Sequence, residues 1–181
     1  MGKVQDVPVG FLGLGEVGRP VLRRLKEQGA AIHATSRSPA LRYKMARDTI
    51  DLCSTPDEIN SKIKDGIIVL MLSKQSLIDA FLTGDDGLLA NLTPGALIVD
   101  LGQTSADTTR LLATQVSEKG AHWLDAPALG SEQEALNGNL TIRAGGRAVD
   151  FARALPLLET LSQDIKHLGD IGAGQEAITA A

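Results

Sequence analysis

The sequence predicts an α/β fold built on a doubly wound, mostly parallel sheet of about eight strands. Three observations support this prediction. Apolar runs and amphipathic helical segments alternate along nearly the whole chain. The first apolar run leads into a glycine-rich turn, and the run at residues 67–72 is apolar throughout. Such continuous runs are typical of parallel strands that are covered on both faces.

The composition of the 181-residue chain is that of an ordinary soluble domain, with 43% hydrophobic and 22% charged residues. Its formal charge is −4 and it has no basic tract, so we expect no nucleic-acid partner. No apolar run reaches the ~18 residues of a membrane span, and the N-terminus lacks a signal-like apolar core. The one cysteine, Cys53, excludes an internal disulfide and is expected to be a buried packing residue. We therefore predict a cytoplasmic protein that makes no membrane contact.

The first strand, at residues 7–12, is followed by the motif Gly13-x-Gly15-x-x-Gly18 and then by an amphipathic helix. This strand–turn–helix context is the one that a dinucleotide fingerprint requires, and it predicts a Rossmann-type fold. The glycines would permit a tight turn, a close approach of the backbone to a pyrophosphate and close packing of helix on strand. The alternative is an ordinary glycine-rich turn. The residues expected to hold the pyrophosphate through their backbone are Gly13, Leu14, Gly15, Glu16, Val17 and Gly18.

The second strand, at residues 30–35, ends in Ser36-Arg37-Ser38, where such folds meet the adenosine ribose. An acid at this place would bind the 2′-hydroxyl of NAD, whereas an arginine accommodates the 2′-phosphate of NADP. The tripeptide contains no acid, and the planar guanidinium of Arg37 suits a phosphate. NADP is therefore favoured and NAD is the second choice. The alternative is that Arg37 is a solvated loop residue.

The rest of the chain continues the alternation. Strands are expected at residues 50–53, 67–72, 96–100, 122–126, 140–144 and 165–168. Helices are expected at 56–63, 76–82, 107–119 and 148–161, and a helical turn at 85–92. Residues 172–181 resemble the opening of one more helix. We therefore assign residues 1–169 to one dinucleotide-binding domain, followed by the start of a helix at residues 170–181.

Five segments together resemble the β-hydroxyacid dehydrogenase family, which includes 3-hydroxyisobutyrate and tartronate semialdehyde dehydrogenases and has a cofactor domain similar to that of 6-phosphogluconate dehydrogenase. They are Phe11-Leu-Gly-Leu-Gly-Glu-Val-Gly-Arg-Pro, Ser36-Arg37-Ser38, Asp125-Ala-Pro-Ala-Leu-Gly-Ser, Asn137-Gly-Asn-Leu-Thr-Ile with Gly145-Gly146, and His167-Leu-Gly-Asp-Ile-Gly-Ala-Gly-Gln. The segments match in order and spacing over nearly the whole chain. The resemblance implies hydride transfer between a nicotinamide and a small hydroxy acid or its carbonyl partner.

The same resemblance implies positions for the rest of the ligand. Met71, Leu72 and Ser73 would border the cofactor ribose, and Gly102 and Gln103 would lie on the nicotinamide side. Ala128, Leu129 and Gly130 would line the pocket for a small-molecule substrate. No metal is expected.

The catalytic positions depart from the family pattern. Ile178 stands where the family has a lysine that exchanges a proton at the substrate oxygen, so no catalytic residue is assigned. The family asparagine falls at Ala181 or beyond it. Gly102 and Gln103 replace a serine and a threonine, and Leu129 replaces the serine of the substrate loop. The resemblance further implies an all-helical second domain, absent from this sequence, that makes most dimer contacts; a homodimer is expected only where that domain is present.

These departures leave other functions open. The chain could be a non-catalytic dinucleotide-binding module, such as a pseudoenzyme or a sensor, because a fingerprint by itself indicates binding alone. An imine-reducing relative is a further alternative, because that branch of the family also lacks the lysine. A structural protein without a ligand is the third.

Overall fold

The computed structural model describes residues 3–48 and 50–180, which contain nine strands and eight α-helices. The strands are β1 (Pro8–Leu12), β2 (Ala31–Thr35), β3 (Asp51–Leu52), β4 (Ile67–Leu70), β5 (Leu97–Asp100), β6 (His122–Asp125), β7 (Ala128–Leu129), β8 (Leu140–Gly145) and β9 (Ser162–Gly169). The helices are α1 (Gly18–Glu27), α2 (Pro39–Arg47), α3 (Pro56–Ile63), α4 (Gln75–Ile78), α5 (Ala106–Glu118), α6 (Glu132–Asn137), α7 (Ala148–Leu161) and α8 (Ala173–Thr179). A π-helical turn (Asp79–Thr83) continues α4, and a 3-10 turn occupies Leu88–Asn91.

All nine strands belong to one sheet. Its order is β3-β2-β1-β4-β5-β6-β8-β7, and β9 also pairs with β8. The strands from β3 to β6 are parallel, β8 is antiparallel to β6 and β7, and β9 is parallel to β8. The predicted doubly wound, mostly parallel sheet is confirmed, with nine strands where about eight were expected. From β1 the chain adds strands first toward one edge of the sheet, as β2 and β3, and then toward the other, as β4 to β6. The point between β1 and β4 where this order reverses is the place at which open α/β sheets bind ligands.

The central strands are apolar throughout because alternate side chains enter two separate cores. Val69 and Val99 pack into the core on one face, whereas Ile68 and Ile98 pack into the core on the other, and all four are fully buried. A strand covered on both faces has no solvent side, so its sequence shows no alternation of polar and apolar residues.

Several elements differ from the sequence prediction. The helix expected at residues 76–82 is split into α4 and the π-helical turn, and β9 begins three residues before the predicted residue 165. Two short elements, β7 and α6, were missed. Helix α6 carries a capping box in which Ser131 and Glu134 each accept a hydrogen bond from the other's backbone N–H, at 3.2 and 2.6 Å. The Ser-x-x-Glu spacing of that box is a recognised helix-start signal that the sequence contained.

Within residues 3–48 and 50–180, no helix combines the length and the apolar character that crossing a bilayer requires. The predicted burial of Cys53 is confirmed, and burial raises the pKa of its thiol to about 11. The thiol is therefore neutral and unreactive at physiological pH.

Candidate functional site

The loops that follow β1, β4, β5 and β6 leave the sheet at the same edge. Continued parallel pairing shows this, because the N–H of Met71 donates to the carbonyl of Leu12 at 2.8 Å and that of Leu101 to Leu70 at 2.8 Å. One strand further along, the N–H of Ala126 donates to the carbonyl of Asp100 at 2.7 Å. The predicted pyrophosphate, ribose, nicotinamide and substrate residues therefore lie along one edge of the sheet.

The three fingerprint glycines are required for different reasons. Gly13 has a φ of 109°, and a Cβ there would overlap the backbone carbonyl of Met71. A Cβ on Gly18 would overlap the carbonyl of Gly13. Around Gly15, by contrast, no protein atom lies within 4 Å of where a Cβ would be. The folded chain itself therefore needs Gly13 and Gly18, whereas at Gly15 the open space suits a ligand that approaches the backbone closely.

The N-terminus of α1 faces this turn without a side-chain cap. Its N-cap residue, Val17, makes no side-chain hydrogen bond, and the first turn contains no acidic residue. Glu16 is exposed, so its carboxylate can turn into solvent. The N–H of Arg19 already donates to the carbonyl of Gly15 at 3.2 Å, and Pro20 has no N–H. This helix start therefore offers an anion such as a pyrophosphate the N–H of Gly18 and the positive end of the helix dipole.

Beyond the end of β2 lies a cavity of about 440 Å³. Ser36, Arg37 and Arg42 line one part of it, and Phe81 lines another. The guanidinium carbon of Arg37 lies 5.5 Å from the centre of the Phe81 ring, a cation–π distance that orients the side chain. The cavity combines cationic groups, hydroxyls and an aromatic ring, which suit an adenosine phosphate, but it is also lined by Asp85 and Asp86, whose carboxylates oppose an anion.

Both serines of the tripeptide also shape the backbone there. The Oγ of Ser36 accepts the N–H of Ser38 at 3.1 Å, and the Oγ of Ser38 caps α2 by accepting the N–H of Leu41 at 3.3 Å. Each hydroxyl keeps its proton free for donation to a ligand. Sequence reasoning missed Arg42 and Phe81: the first could have been found by extending the helix expected after Pro39, whereas the second is brought in by an unpredicted π-helical turn.

The residues predicted at the ribose and nicotinamide differ in exposure. Met71 is half-buried against Gly13 and Gly18, and Ser73 is exposed, but the side chain of Leu72 is buried in the core. Gly102 is buried, and a Cβ there would overlap the carbonyl of Leu72. Gln103 beside it is exposed.

The predicted substrate residues lie in and after β7. Ala128 packs into the core, with 4% of its surface exposed, and Leu129 is half-buried. Gly130 is exposed and has a φ of 152°. Of these three residues, Leu129 and Gly130 are therefore the two that are open to solvent.

Two buried carboxyl groups lie under this edge, in register on β5 and β6. Asp100 accepts the N–H of Gly102 at 3.0 Å, and Asp125 accepts those of Gly172 at 2.7 Å and Gln175 at 3.1 Å. Burial raises the pKa of Asp100 to about 8; the Gly102 hydrogen bond opposes this shift and the charge of Asp125 adds to it. Burial also raises the pKa of Asp125, against the opposing hydrogen bonds from the start of α8.

Comparison with known proteins places these features in a family. A family model described as the NAD binding domain of 6-phosphogluconate dehydrogenase matches residues 8–169. The chain belongs to the β-hydroxyacid dehydrogenase family. The predicted family is thereby confirmed, and the cofactor of this domain is a nicotinamide dinucleotide.

Curated members of the family are substantially longer than this chain. The chain is 31% identical over 170 residues to the mitochondrial 3-hydroxyisobutyrate dehydrogenase of Mus musculus, a match that covers 94% of this chain and 50% of the relative. It is 32% identical over 169 residues to the 2-hydroxy-3-oxopropionate reductase of Escherichia coli (strain K12), covering 92% and 56%. The chain thus spans about half the length of the curated relatives that it matches.

Several solved structures superpose closely on this chain. The 3-hydroxyisobutyrate dehydrogenase of Mycobacterium tuberculosis, solved with L-serine, gives a TM-score of 0.86 at 25% identity over 97% of this chain and 59% of that one. Psf3 in complex with NADP⁺ and 2-OPP gives 0.87 at 25% identity over 95% and 60%. An imine reductase from Myxococcus stipitatus, at 0.85 and 18% identity over 98% and 59%, shares the fold.

Ile178 is the residue at which the family resemblance predicts a lysine. It lies on α8 and is half-buried. An isoleucine side chain has no proton to exchange, so this position cannot act as a general acid or base. Ala181, one of the positions suggested for the family asparagine, lies outside the described residues. Within the described residues, no group of three or more His, Cys, Asp or Glu side chains could hold a metal ion.

Proposed function

We propose that this chain is the NADP-binding part of an oxidoreductase that acts on a small hydroxy acid or its carbonyl partner. The observation that carries the proposal is the open approach at Gly15, next to the uncapped start of α1, on the same sheet edge as Arg37. When bound, the nicotinamide supplies or accepts the hydride. The chain's own residues bind and orient the dinucleotide.

Each part of the dinucleotide has residues that suit it. The backbone of the fingerprint turn, around Gly15, would hold the pyrophosphate, and Arg37 with its two flanking serines would hold the 2′-phosphate. Met71 would border the ribose. The loop that contains Gly102 and Gln103 would face the nicotinamide.

NADPH is expected to bind this protein more tightly than NADH, and Arg37→Ala is expected to remove the difference. The guanidinium of Arg37 lines the cavity beyond β2, where a charge-assisted hydrogen bond to the 2′-phosphate should contribute about tenfold in affinity. Titration of both nucleotides by fluorescence or calorimetry measures this. Arg23→Ala, at an exposed position on α1, is the matched control. Equal affinities for the two nucleotides, or unchanged NADPH affinity in Arg37→Ala, would remove the preference for NADP.

This polypeptide alone is expected to oxidise small hydroxy acids at a negligible rate. Ile178 supplies no general base, and transfer of a hydride from an alcohol to NADP⁺ needs a group that accepts the hydroxyl proton. The assay follows NADPH formation at 340 nm with a panel of hydroxy acids. Robust NADP⁺ reduction would show that another group in the chain performs the proton transfer. A second candidate function is that of a non-catalytic dinucleotide-binding module. Ile178 favours it, because an isoleucine cannot exchange a proton.

We also propose that residues 1–169 form the cofactor domain and that residues 170–181 begin an interdomain helix. The family match ends at residue 169, and α8 starts shortly after it. Sequencing of the parent reading frame beyond Ala181 tests the assignment. A continuation with helical periodicity is expected, whereas a stop directly after Ala181 would contradict it. Homodimers would then depend on the helical domain.

A further inference from the structure

The loop between β5 and α5 is held by one side chain from much later in the chain. Gln175, in the first turn of α8, is fully buried. Its Nε2 donates to the carbonyl of Gly102 at 2.8 Å, and its Oε1 accepts the N–H of Thr104 at 3.1 Å. The two polar atoms of one amide therefore bracket Gln103, whose own side chain is exposed.

The helix that carries Gln175 is itself anchored to the sheet. The carboxylate of Asp125, at the end of β6, accepts the N–H of Gly172 at 2.7 Å and that of Gln175 at 3.1 Å. The hydroxyl of Thr179 donates to the carbonyl of Gln175 at 2.9 Å, one turn further along. The amide of Gln175 thus projects from a fixed helix end, and it fixes the loop relative to β6 as well as to β5.

These contacts are energetically important because they satisfy backbone groups that are shielded from water. The side-chain amide has a donor and an acceptor at a fixed separation, so it can pair with a carbonyl and an N–H of the loop as the backbone of a neighbouring strand would. An apolar side chain of similar size would leave the carbonyl of Gly102 and the N–H of Thr104 without these partners. Buried backbone groups without a partner are strongly destabilising, so the loop would adopt another shape.

We propose that Gln175 is a positioning residue that holds the loop from Gly102 to Thr104 in the shape that receives the nicotinamide half of the cofactor. This inference rests on the proposed function, because it assumes a dinucleotide that extends from the fingerprint turn to this loop. Gln175 acts through the loop backbone, and it leaves the adenosine side, around Arg37, unaffected.

The test compares two ligands in wild type and Gln175→Met. NADPH occupies both halves of the proposed site, whereas 2′,5′-ADP carries only the adenosine half. Methionine keeps the length and helix propensity of glutamine. We expect the dissociation constant of NADPH to rise about tenfold in Gln175→Met, and that of 2′,5′-ADP to stay within about twofold. Gln133→Met, at an exposed position on α6, should change neither constant.

The outcomes distinguish the positioning role of Gln175 from the proposed binding of a dinucleotide. Wild type that binds neither ligand would contradict the proposed function. Wild type that binds both, with Gln175→Met weakening both equally or neither, would overturn the positioning role alone. Hydrogen exchange on wild type needs no substitution and decides the matter if the variant does not fold. NADPH should slow exchange of the loop amides at residues 103 and 104 more than 2′,5′-ADP does, and equal protection by the two ligands would also overturn the inference.

Discussion

The free energy of unfolding is expected to fall as the pH rises from about 5 to 8, and Asp100→Asn is expected to remove most of that fall. Burial raises the pKa of Asp100 to about 8, so its carboxyl group is neutral in the native state at lower pH. In the unfolded chain the same group ionises near its ordinary pKa of 3.8. Between the two values only the native state holds the proton, and stability therefore decreases with rising pH.

The size of this effect follows from the distance between the two pKa values. Each unit is equivalent to about 1.4 kcal/mol, which sets an upper bound on the order of 6 kcal/mol for complete ionisation. The charged group facing Asp100 is Asp125, whose negative charge adds to the penalty. An asparagine carries no charge, and its side-chain oxygen can still accept the N–H of Gly102. The variant should therefore be the more stable protein at pH 8.

Chemical denaturation at a series of pH values from 4.5 to 9 measures this difference. The matched control is Asp48→Asn, an exposed aspartate at the end of α2, which should leave the pH dependence unchanged. Parallel pH profiles for wild type and Asp100→Asn would mean that Asp100 is already ionised in the native state near neutral pH.

Gly18→Ala is expected to destabilise the fold, whereas Gly15→Ala is expected to impair only ligand binding. The added methyl group on Gly18 would overlap the backbone carbonyl of Gly13, and backbone cannot move aside as a flexible side chain can. We expect a loss of about 3 kcal/mol in the free energy of unfolding. At Gly15 no protein atom lies within 4 Å of the added carbon, so stability should change by less than about 0.5 kcal/mol.

The variants Gly15→Ala and Gly18→Ala distinguish the glycine that ligand binding needs from the one that folding needs. The methyl group on Gly15 would occupy the space through which the pyrophosphate reaches the backbone, so NADPH affinity should fall on the order of tenfold, equivalent to ~1.4 kcal/mol. Thermal denaturation and NADPH titration of each variant provide the two measurements. If Gly15→Ala bound NADPH as wild type does, the pyrophosphate would have to lie elsewhere. A fully stable Gly18→Ala would contradict the close approach of α1 to the turn.

Much of the cofactor side could be predicted because its chemistry is local in sequence. Gly13, Gly15 and Gly18 follow one strand and precede one helix, and Arg37 follows the next strand at a distance typical of the fold. Such motifs act through backbone conformation and charge over a few residues, so spacing alone indicates them. The boundaries of Pro56–Ile63 and Ala148–Leu161 were predicted to the residue, because a proline or a glycine pair marks each helix start.

Other features depend on contacts that sequence order does not reveal. Phe81 lies beside Arg37 on a π-helical turn that replaces the end of the expected helix. The elevated pKa of Asp100 arises from burial and from Asp125, which lies on the adjacent strand. Gly102 is a departure from the family serine when it is considered alone, yet in the fold a Cβ there would overlap the carbonyl of Leu72.

The amino-acid sequence by itself determined the fold class and the family, since periodicity and short motifs are sufficient for both, and it predicts the place of the dinucleotide along the chain. Only the tertiary structure decided which glycine of Gly13-x-Gly15-x-x-Gly18 is left open to a ligand, and which side chain holds the loop at Gln103. The physical reason is that both depend on the packing of distant segments. The backbone of Met71 packs against Gly13. The amide of Gln175 binds loop residues that precede it by 71 and 73 positions in the sequence.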